Sequence, residues 1–481
     1  MNKIKNVRNF LKKASLLSLV FLVVSCSDFG DLNVDPNNPT SVPAANLFTQ
    51  GQFEMFNRLQ SRNYNGEWTM LLTQHWAQNE YAEESRYVVD GNTFDAYFQA
   101  MYASSLSELD AARKIIEADE TVVGGVRANQ LALIEIMSIN AYTALTEAFG
   151  SIPYSQALSE EFPNPAYDDQ STIYPDLLDR LNAAVGSIDT DAGSFGSGDV
   201  VYGGDAAAWK KLGASMLLRM ALRVADVDSG LAQTHVSNAL SYGVFESNAD
   251  NAVFAFSSDP ALSNPLYIDN VINGRDDFCV TDVLVNALND RNDPRVNVYA
   301  APNNDGKIVG MRYGLLDAEA FAGKDTTSRP AAIREFDSPH IMMDYAEVSF
   351  CMAEAIERGY ATGNAADHYA NGVTASMNFW GITDDTAIAD YIANNAYDSA
   401  NWKNSIGMQK WLAFYGNGHQ AWTEWRRLDV PSLDVPAAAD NPAIPVRLPY
   451  PVSEQERNGN QLSAVTSMPN DMDTKLWFDV N

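Results

Sequence analysis

Five histidines, His75, His235, His340, His368 and His419, are scattered along the chain. None forms the H-E-x-x-H spacing that sets two imidazoles on one helix face, and no C-x-x-C pair accompanies them. Zinc and redox chemistry therefore lack local support. Residues 193–198 (GSFGSG) miss the nucleophile elbow G-x-S-x-G, because Ser194 and Ser197 are both out of register; they read as a flexible connector. Residues 416–421 (GNGHQA) do match G-x-G-x-x-A. A dinucleotide site, however, needs a strand before that turn, and the preceding QKWLAFY is helical in character, so a helix–helix turn is the better reading. Glu347 and Glu354 fall on one stripe of one helix, separated by a rise of about 10.5 Å. A glycosidic acid and base must instead flank the bond from facing positions, so these two read as polar contacts between packed helices. The acidic pairs Asp276–Asp277 and Asp226/Asp228 could touch calcium, yet neither sits in a full loop of alternating oxygen ligands. No cofactor is expected, and calcium stays open and unassigned.

The N-terminal thirteen residues, MNKIKNVRNFLKK, carry five basic groups and no acidic one, and lead into an apolar run from residue 14 to residue 24. That is the layout of an export signal, too short for a hydrocarbon core that takes about 20 residues. The stretch LVVSC ending at Cys26 is similar to a bacterial lipobox, in which the cysteine is acylated and becomes the first residue. Loss of residues 1–25 removes five basic groups, so the formal charge of −30 becomes −35. A surface of that sign repels phosphate backbones, which argues against nucleic acid as a partner. Only Cys279 and Cys351 remain beyond Cys26, too few for a disulfide scaffold.

Residues 27–43 are rich in Asp, Asn and Pro and read as an extended tether. Beyond them helical periodicity dominates, with helices expected over 44–62, 67–78, 92–118, 127–149, 173–187, 206–225, 340–358, 365–379, 406–415 and 419–427. The 206–225 segment is apolar nearly all round, with Lys210, Lys211, Arg219 and Arg223 confined to a stripe. Gly359 closes the 340–358 helix in a position suited to a left-handed cap, and the next helix restarts at once. Ala346, Ala353 and Ala355 leave room for close approach within that hairpin, the logic of a tetratricopeptide pair without its strict repeat. Residues 246–337 read as ordered loops carrying short elements, where binding residues concentrate. With 46% hydrophobic residues and no separating linker, 44–481 is expected to form one mainly α-helical domain behind a signal segment (1–25) and a lipidated tether (26–43).

Several stretches, in order, resemble the SusD/RagB family and its SusD-like branch: LNVDPNNPT at 32–40, residues 199–223 with VYGGD leading into AAWKKLGASMLLRMALR, NDPR at 292–295, YAEVSFCMAEAIERG at 345–359, MQKW at 408–411, AWTEWRR at 421–427 and IPVRLPYPVSEQERNGN at 444–460. The resemblance implies a scaffold of four tetratricopeptide-like helical hairpins with an irregular, loop-rich part carrying the ligand. It further implies an outer-membrane lipoprotein at the cell surface, anchored through Cys26, which binds a nutrient glycan and delivers it without catalysis to a SusC-type TonB-dependent transporter. The family motifs themselves read as structural. Trp422 and Trp425 share a helix face suited to core packing, and Arg426 and Arg427 are placed to pair with buried carboxylates or with carbonyls of the Pro-rich tail.

In such proteins the ligand face resembles a shallow arc of aromatics. Pyranose rings present C–H faces that pack flat on an indole or phenol, while Asn, Asp and Arg fix the hydroxyls. Two segments hold that mixture: Trp76, Asn79, Tyr81, Arg86 and Tyr87 early on, and Tyr267, Asn270, Asn273, Arg275 and Asp277 in the middle. They are expected to line one surface, with Trp76, Tyr81, Tyr267 and Arg275 at its centre. Two other readings stay open: a peptide-binding member of the same family, and a surface enzyme acting on glycans, for which no convergent acid–base or nucleophile set is found.

Overall fold

The computed structural model describes residues 42–480 apart from residue 332. Cys26, the signal segment and the tether as far as residue 41 lie outside the described residues. The fold is mainly helical. Its longer helices are α1 (Ala44–Leu59), α2 (Ser107–Ala118), α3 (Gly124–Phe149), α4 (Gln170–Ser187), α5 (Ala206–Arg223), α6 (Ser229–Tyr242), α7 (Tyr345–Glu357), α8 (Ala365–Phe379), α9 (Trp402–Ala413) and α10 (Gly418–Leu428). Helices α3 and α4, α5 and α6, α7 and α8, and α9 and α10 pack as sequence neighbours. Among the described residues the strands are short and paired in twos: β1 (Trp76–Gln78) with β5 (Phe278–Val280), β2 (Ile152–Pro153) with β3 (Tyr167–Asp168), and β4 (Ala252–Phe254) with β6 (His340–Met343).

The reasons are local. Helix α5 begins where the Asp205 side chain accepts from the backbone N–H groups of Ala207 and Ala208, at 2.9 and 3.1 Å, satisfying donors that no helical carbonyl can reach. The α7–α8 turn uses Gly359 at φ +75°, and its N–H returns to the Ile356 carbonyl at 2.9 Å, as expected of a glycine cap. The two helices then press together at Gly372, where an added Cβ would sit 2.6 Å from the Phe350 ring.

Two expected helices begin or end as strands. The 67–78 segment is helical only to Leu72 and finishes in β1, while 340–358 opens as β6 before α7 starts at Tyr345. Apolar runs of that length fit either state, and here pairing with distant β5 and β4 decides. The 193–198 loop is pinned rather than flexible: Asn129 Nδ2 donates to the Asp189, Ala192 and Gly193 carbonyls at 2.8–3.1 Å, and Phe195 stacks on Phe48 at 4.2 Å.

Between the helices lies a buried network of charges. Glu147 of α3 receives Arg223 of α5, Tyr174 Oη at 2.8 Å and His419 Nε2 at 3.0 Å. Arg427 of α10 reaches Glu354 at 2.5 and 2.6 Å and Glu424 at 2.7 Å, and Lys410 donates to Glu424 at 2.8 Å. Arg358 bridges Glu354 and Asp226. Glu347 faces Arg219 at 3.3 Å, so both carboxylates of the α7 stripe join packed helices. In the NDPR stretch, Arg295 pairs with its own Asp293 at 2.6 Å and spans to Ser376 Oγ and Gln409 Oε1. The Pro-rich tail is fastened through Trp422 Nε1 to the Pro445 carbonyl (2.9 Å), Arg426 Nη1 to Val446 (2.9 Å) and Leu448 N–H to Ala148 (2.8 Å).

Burial sets the acid response. Desolvation holds His75 and His340 neutral down to about 3, whereas the unfolded imidazoles take a proton near pH 6.5. Their contribution is complete above pH 6.5 and is lost as pH falls from there towards 3, at up to about 1.4 kcal/mol per pH unit for each. Asp344 acts oppositely, because burial raises its carboxyl to about 7; its contribution is complete below the usual carboxylate range and is lost as pH rises towards 7. Between roughly pH 4 and 6.5 the two histidines outweigh it by one proton. Urea midpoints should therefore fall steadily from pH 6.5 to pH 4.5; a flat or rising profile would contradict this assignment.

Candidate functional site

Strands β1 and β5 bring the two expected ligand segments together. Trp76 lies opposite Val280, Ala77 opposite Cys279 and Gln78 opposite Phe278, and Asn79 N–H continues the ladder to the Asp277 carbonyl at 2.7 Å. Just past this ribbon the two segments emerge at the surface. Tyr81 is 61% exposed, held at φ +53°, a left-handed conformation uncommon for a tyrosine. The Arg275 guanidinium lies 5.2 Å from its ring centre, within cation–π range.

Arg275 is held from below. Its Nη2 pairs with Asp277 at 2.9 Å, and the same carboxylate takes Arg62 Nη2 at 2.7 Å. Asp277 is buried while the Arg275 side chain is 47% exposed, so a buried anion fixes a cation that faces solvent. The Tyr81 turn is tied down on both sides: Glu80 pairs with Lys324, and Ala82 N–H donates to Asp317 Oδ1 at 2.8 Å. Both tethers lead to the short helix Asp317–Gly323, whose Phe321 is 61% exposed. Val271 and Ile272 add exposed apolar surface beside Asn273, which is also exposed. Tyr267 is half-buried, with its ring edge-on to Phe336 at 6.2 Å.

Six expected ligand residues do not line this surface. Trp76 is 0% exposed, its indole packed between Phe278 and Tyr415 at 5.4 and 6.3 Å, because both strands of the ribbon are buried along their whole length. Asn79 and Tyr87 are buried as well, Tyr87 against Tyr313. Asp277 is buried in its two ion pairs and serves as the anchor for Arg275. Asn270 is likewise buried, and Arg86 is half-buried with Nε donating to the Ala82 carbonyl at 3.3 Å. Tyr81, Tyr267, Asn273 and Arg275 are the expected residues that reach the surface. Phe321 is a surface aromatic that the sequence reading does not single out. Its signal is a lone phenylalanine in DAEAFAGKD with no apolar partner at helical spacing.

The acidic pairs considered for calcium are occupied by cations of the chain. Asp276 pairs with Arg329 at 2.8 Å and with Arg334, Asp277 with Arg62 and Arg275, and Asp226 with Arg358 at 2.7 Å. Asp228 caps α6, accepting from Leu231 N–H at 2.9 Å. Among the described residues no group of three or more His, Cys, Asp or Glu is placed to hold a metal ion.

What remains is a platform of exposed aromatic and aliphatic side chains, a fixed guanidinium and an exposed amide, chemistry suited to reversible recognition. Residues 36–451 match the model of the SusD-like family described as starch-binding and associating with the outer membrane. The chain belongs to the SusD-like family. Among solved structures, a chitin-binding protein is 27% identical, covers 91% of this chain and 100% of its own, and superposes with a TM-score of 0.82. A chitin-binding SusD homologue from Flavobacterium johnsoniae is 23% identical over 90% of this chain and 99% of its own, with a TM-score of 0.79. A SusD homologue from Bacteroides uniformis is 23% identical over 92% and 100%, with a TM-score of 0.77. No curated protein sequence matches the chain. In this SusD-like chain no helix of the described residues is long and apolar enough to cross a membrane. The stretches NDPR, MQKW and AWTEWRR all lead to the buried ion and hydrogen-bond network and not to the Tyr81 platform.

Proposed function

We propose that this SusD-like chain binds a glycan on the Tyr81–Arg275 platform and passes it, unaltered, to a SusC-type TonB-dependent transporter. The observation that carries the reading is Tyr81 itself. Most of the large aromatic side chains are buried, yet this one is held out on a tethered, left-handed turn beneath a guanidinium that a buried carboxylate fixes. A phenol so held offers a flat apolar face to a sugar ring, and Arg275 and Asn273 supply donors for its hydroxyls. The starch-binding description of the family and the chitin-binding relative at 27% identity support a polysaccharide as ligand. The 44–481 segment is the binding domain, and residues 26–43 tether it at the cell surface through acylated Cys26. Mass spectrometry of the native N terminus checks that anchor, which an unmodified start beyond Cys26 would overturn.

Tyr81→Ala is expected to weaken glycan binding roughly tenfold, the effect of removing one aromatic stacking face, with the fold intact by circular dichroism. Affinity electrophoresis in starch and soluble chitin derivatives, followed by calorimetry with the oligosaccharide that binds, measures it. Parent-like binding by both Tyr81→Ala and Arg275→Ala would remove the platform from consideration, and turnover of the bound glycan would refute unaltered delivery.

A further inference from the structure

A second concave surface shares no residue with the Tyr81 platform. It runs between the loop from Pro153 to Pro165 and the turn joining helices Val452–Arg457 and Gly459–Val465. One lobe, of about 460 Å³, is walled mainly by apolar groups that include Tyr102, Phe162, Pro163 and Pro165. The adjoining lobe, of about 580 Å³, is polar and presents Gln455, Asn460 and Gln461. Asn164, Arg457 and Asn458 line both.

The cleft is built, not a chance dip. Tyr102 Oη donates to the Pro153 carbonyl at 2.6 Å, and Tyr167 Oη donates to Glu454 Oε2 at 2.6 Å. Asn458 Nδ2 holds the loop through the Pro165 carbonyl at 3.0 Å. Asn458 is only 7% exposed, and its Oδ1 has no hydrogen-bond partner among the described residues, an arrangement that native structures seldom leave without a reason. Arg457 is exposed and makes no ion pair among the described residues. An aromatic and proline wall, an amide floor and an uncommitted guanidinium together suit a ring with apolar faces and equatorial hydroxyls. An anionic ligand is disfavoured, since Glu454 and Glu456 outnumber Arg457 across the two lobes.

We infer that this cleft is a second saccharide-binding site, taking one or a few pyranose rings of the same polysaccharide whose other segment lies on the Tyr81 platform. The inference rests on the glycan reading of the protein. Two contacts on one polymer act as a bivalent pair, so the second raises the apparent affinity for long chains and leaves that of a short oligosaccharide at the first platform unchanged.

The test uses the full chain and the variants Phe162→Ala with Arg457→Ala, Asn164→Ala, and Tyr81→Ala, each checked for fold by circular dichroism. Binding is measured to a long soluble polysaccharide by affinity electrophoresis and to a short oligosaccharide of the same sugar by calorimetry. The cleft variants should weaken retention by the long polymer roughly fivefold while binding the oligosaccharide at the Tyr81 platform like the parent. Tyr81→Ala should weaken both. Parent-like retention of the long polymer by the cleft variants overturns the second site and leaves the first standing. A parent protein that binds no glycan overturns both.

Discussion

Replacing Arg427 with methionine is expected to lower the unfolding free energy by about 3–5 kcal/mol. Its guanidinium is buried and bonds two carboxylates, Glu354 at 2.5 and 2.6 Å and Glu424 at 2.7 Å. Burial alone would push both acids up; the Arg427 charge is the foremost force against it and holds them below the usual carboxylate range. Methionine keeps the apolar stem and removes the charge, leaving two buried carboxylates to share Lys410, Arg358 and Arg223, the last 3.4 Å from Glu424. Lys410 lies 2.8 Å from Glu424 but 3.9 Å from Glu354, so it replaces only part of the loss, and an uncompensated buried charge is far more harmful than an absent pair. Adding Glu354→Gln to Arg427→Met should recover part of the stability, since one of the two under-compensated carboxylates goes with it while Arg358 still has Asp226. Urea unfolding followed by circular dichroism measures both, and an unchanged midpoint for the single variant would show that the network carries little of the fold.

Trp76→Ala is expected to destabilise by about 3–5 kcal/mol, the range for deleting a fully buried large aromatic, because it opens a void between Phe278 and Tyr415 beside the β1–β5 ribbon. Trp76→Phe should cost less, since most of the volume remains. The measurement separates two roles for the same residue. A residue that lined the ligand surface would lose affinity on truncation and keep its melting temperature. A melting temperature equal to the parent's, with weakened glycan binding, would contradict the burial of this indole.

The helical plan is readable because most helices carry their own signals. The 365–379 helix coincides with α8, and α1, α3, α4, α5 and α10 start and stop within a few residues of expectation. Helix α6 and the short helix Asp385–Asn394 escape the sequence, their Asp caps sitting among other turn residues. Strands β1 and β6 are unreadable for a different reason: a run of three or four residues becomes a strand only when a distant partner arrives. That same dependence hides the site. The two ligand segments are visible as aromatic and amide mixtures, but which side chain faces outward depends on where the fully buried ribbon ends. Trp76 goes inward by pairing with Val280, and Tyr81 outward because its turn lies past the ribbon. The roles of Arg426 and Arg427 are legible, since a doubled arginine beside tryptophans on an apolar helix needs buried partners.

The β1–β5 ribbon also bears on how the protein comes into being. Ala77 and Cys279 face each other across 202 positions of sequence, and closing a chain segment of that length costs on the order of 5 kcal/mol in configurational freedom. Three ladder residues a strand cannot offset that cost alone. The helices from α3 to α6 lie within the intervening segment and draw on contacts nearer in sequence, so they shorten the effective loop before the ribbon zips. The Tyr81 platform is accordingly expected to form late in folding, once the helical framework has set its two halves side by side, and neither half carries the proposed recognition surface by itself.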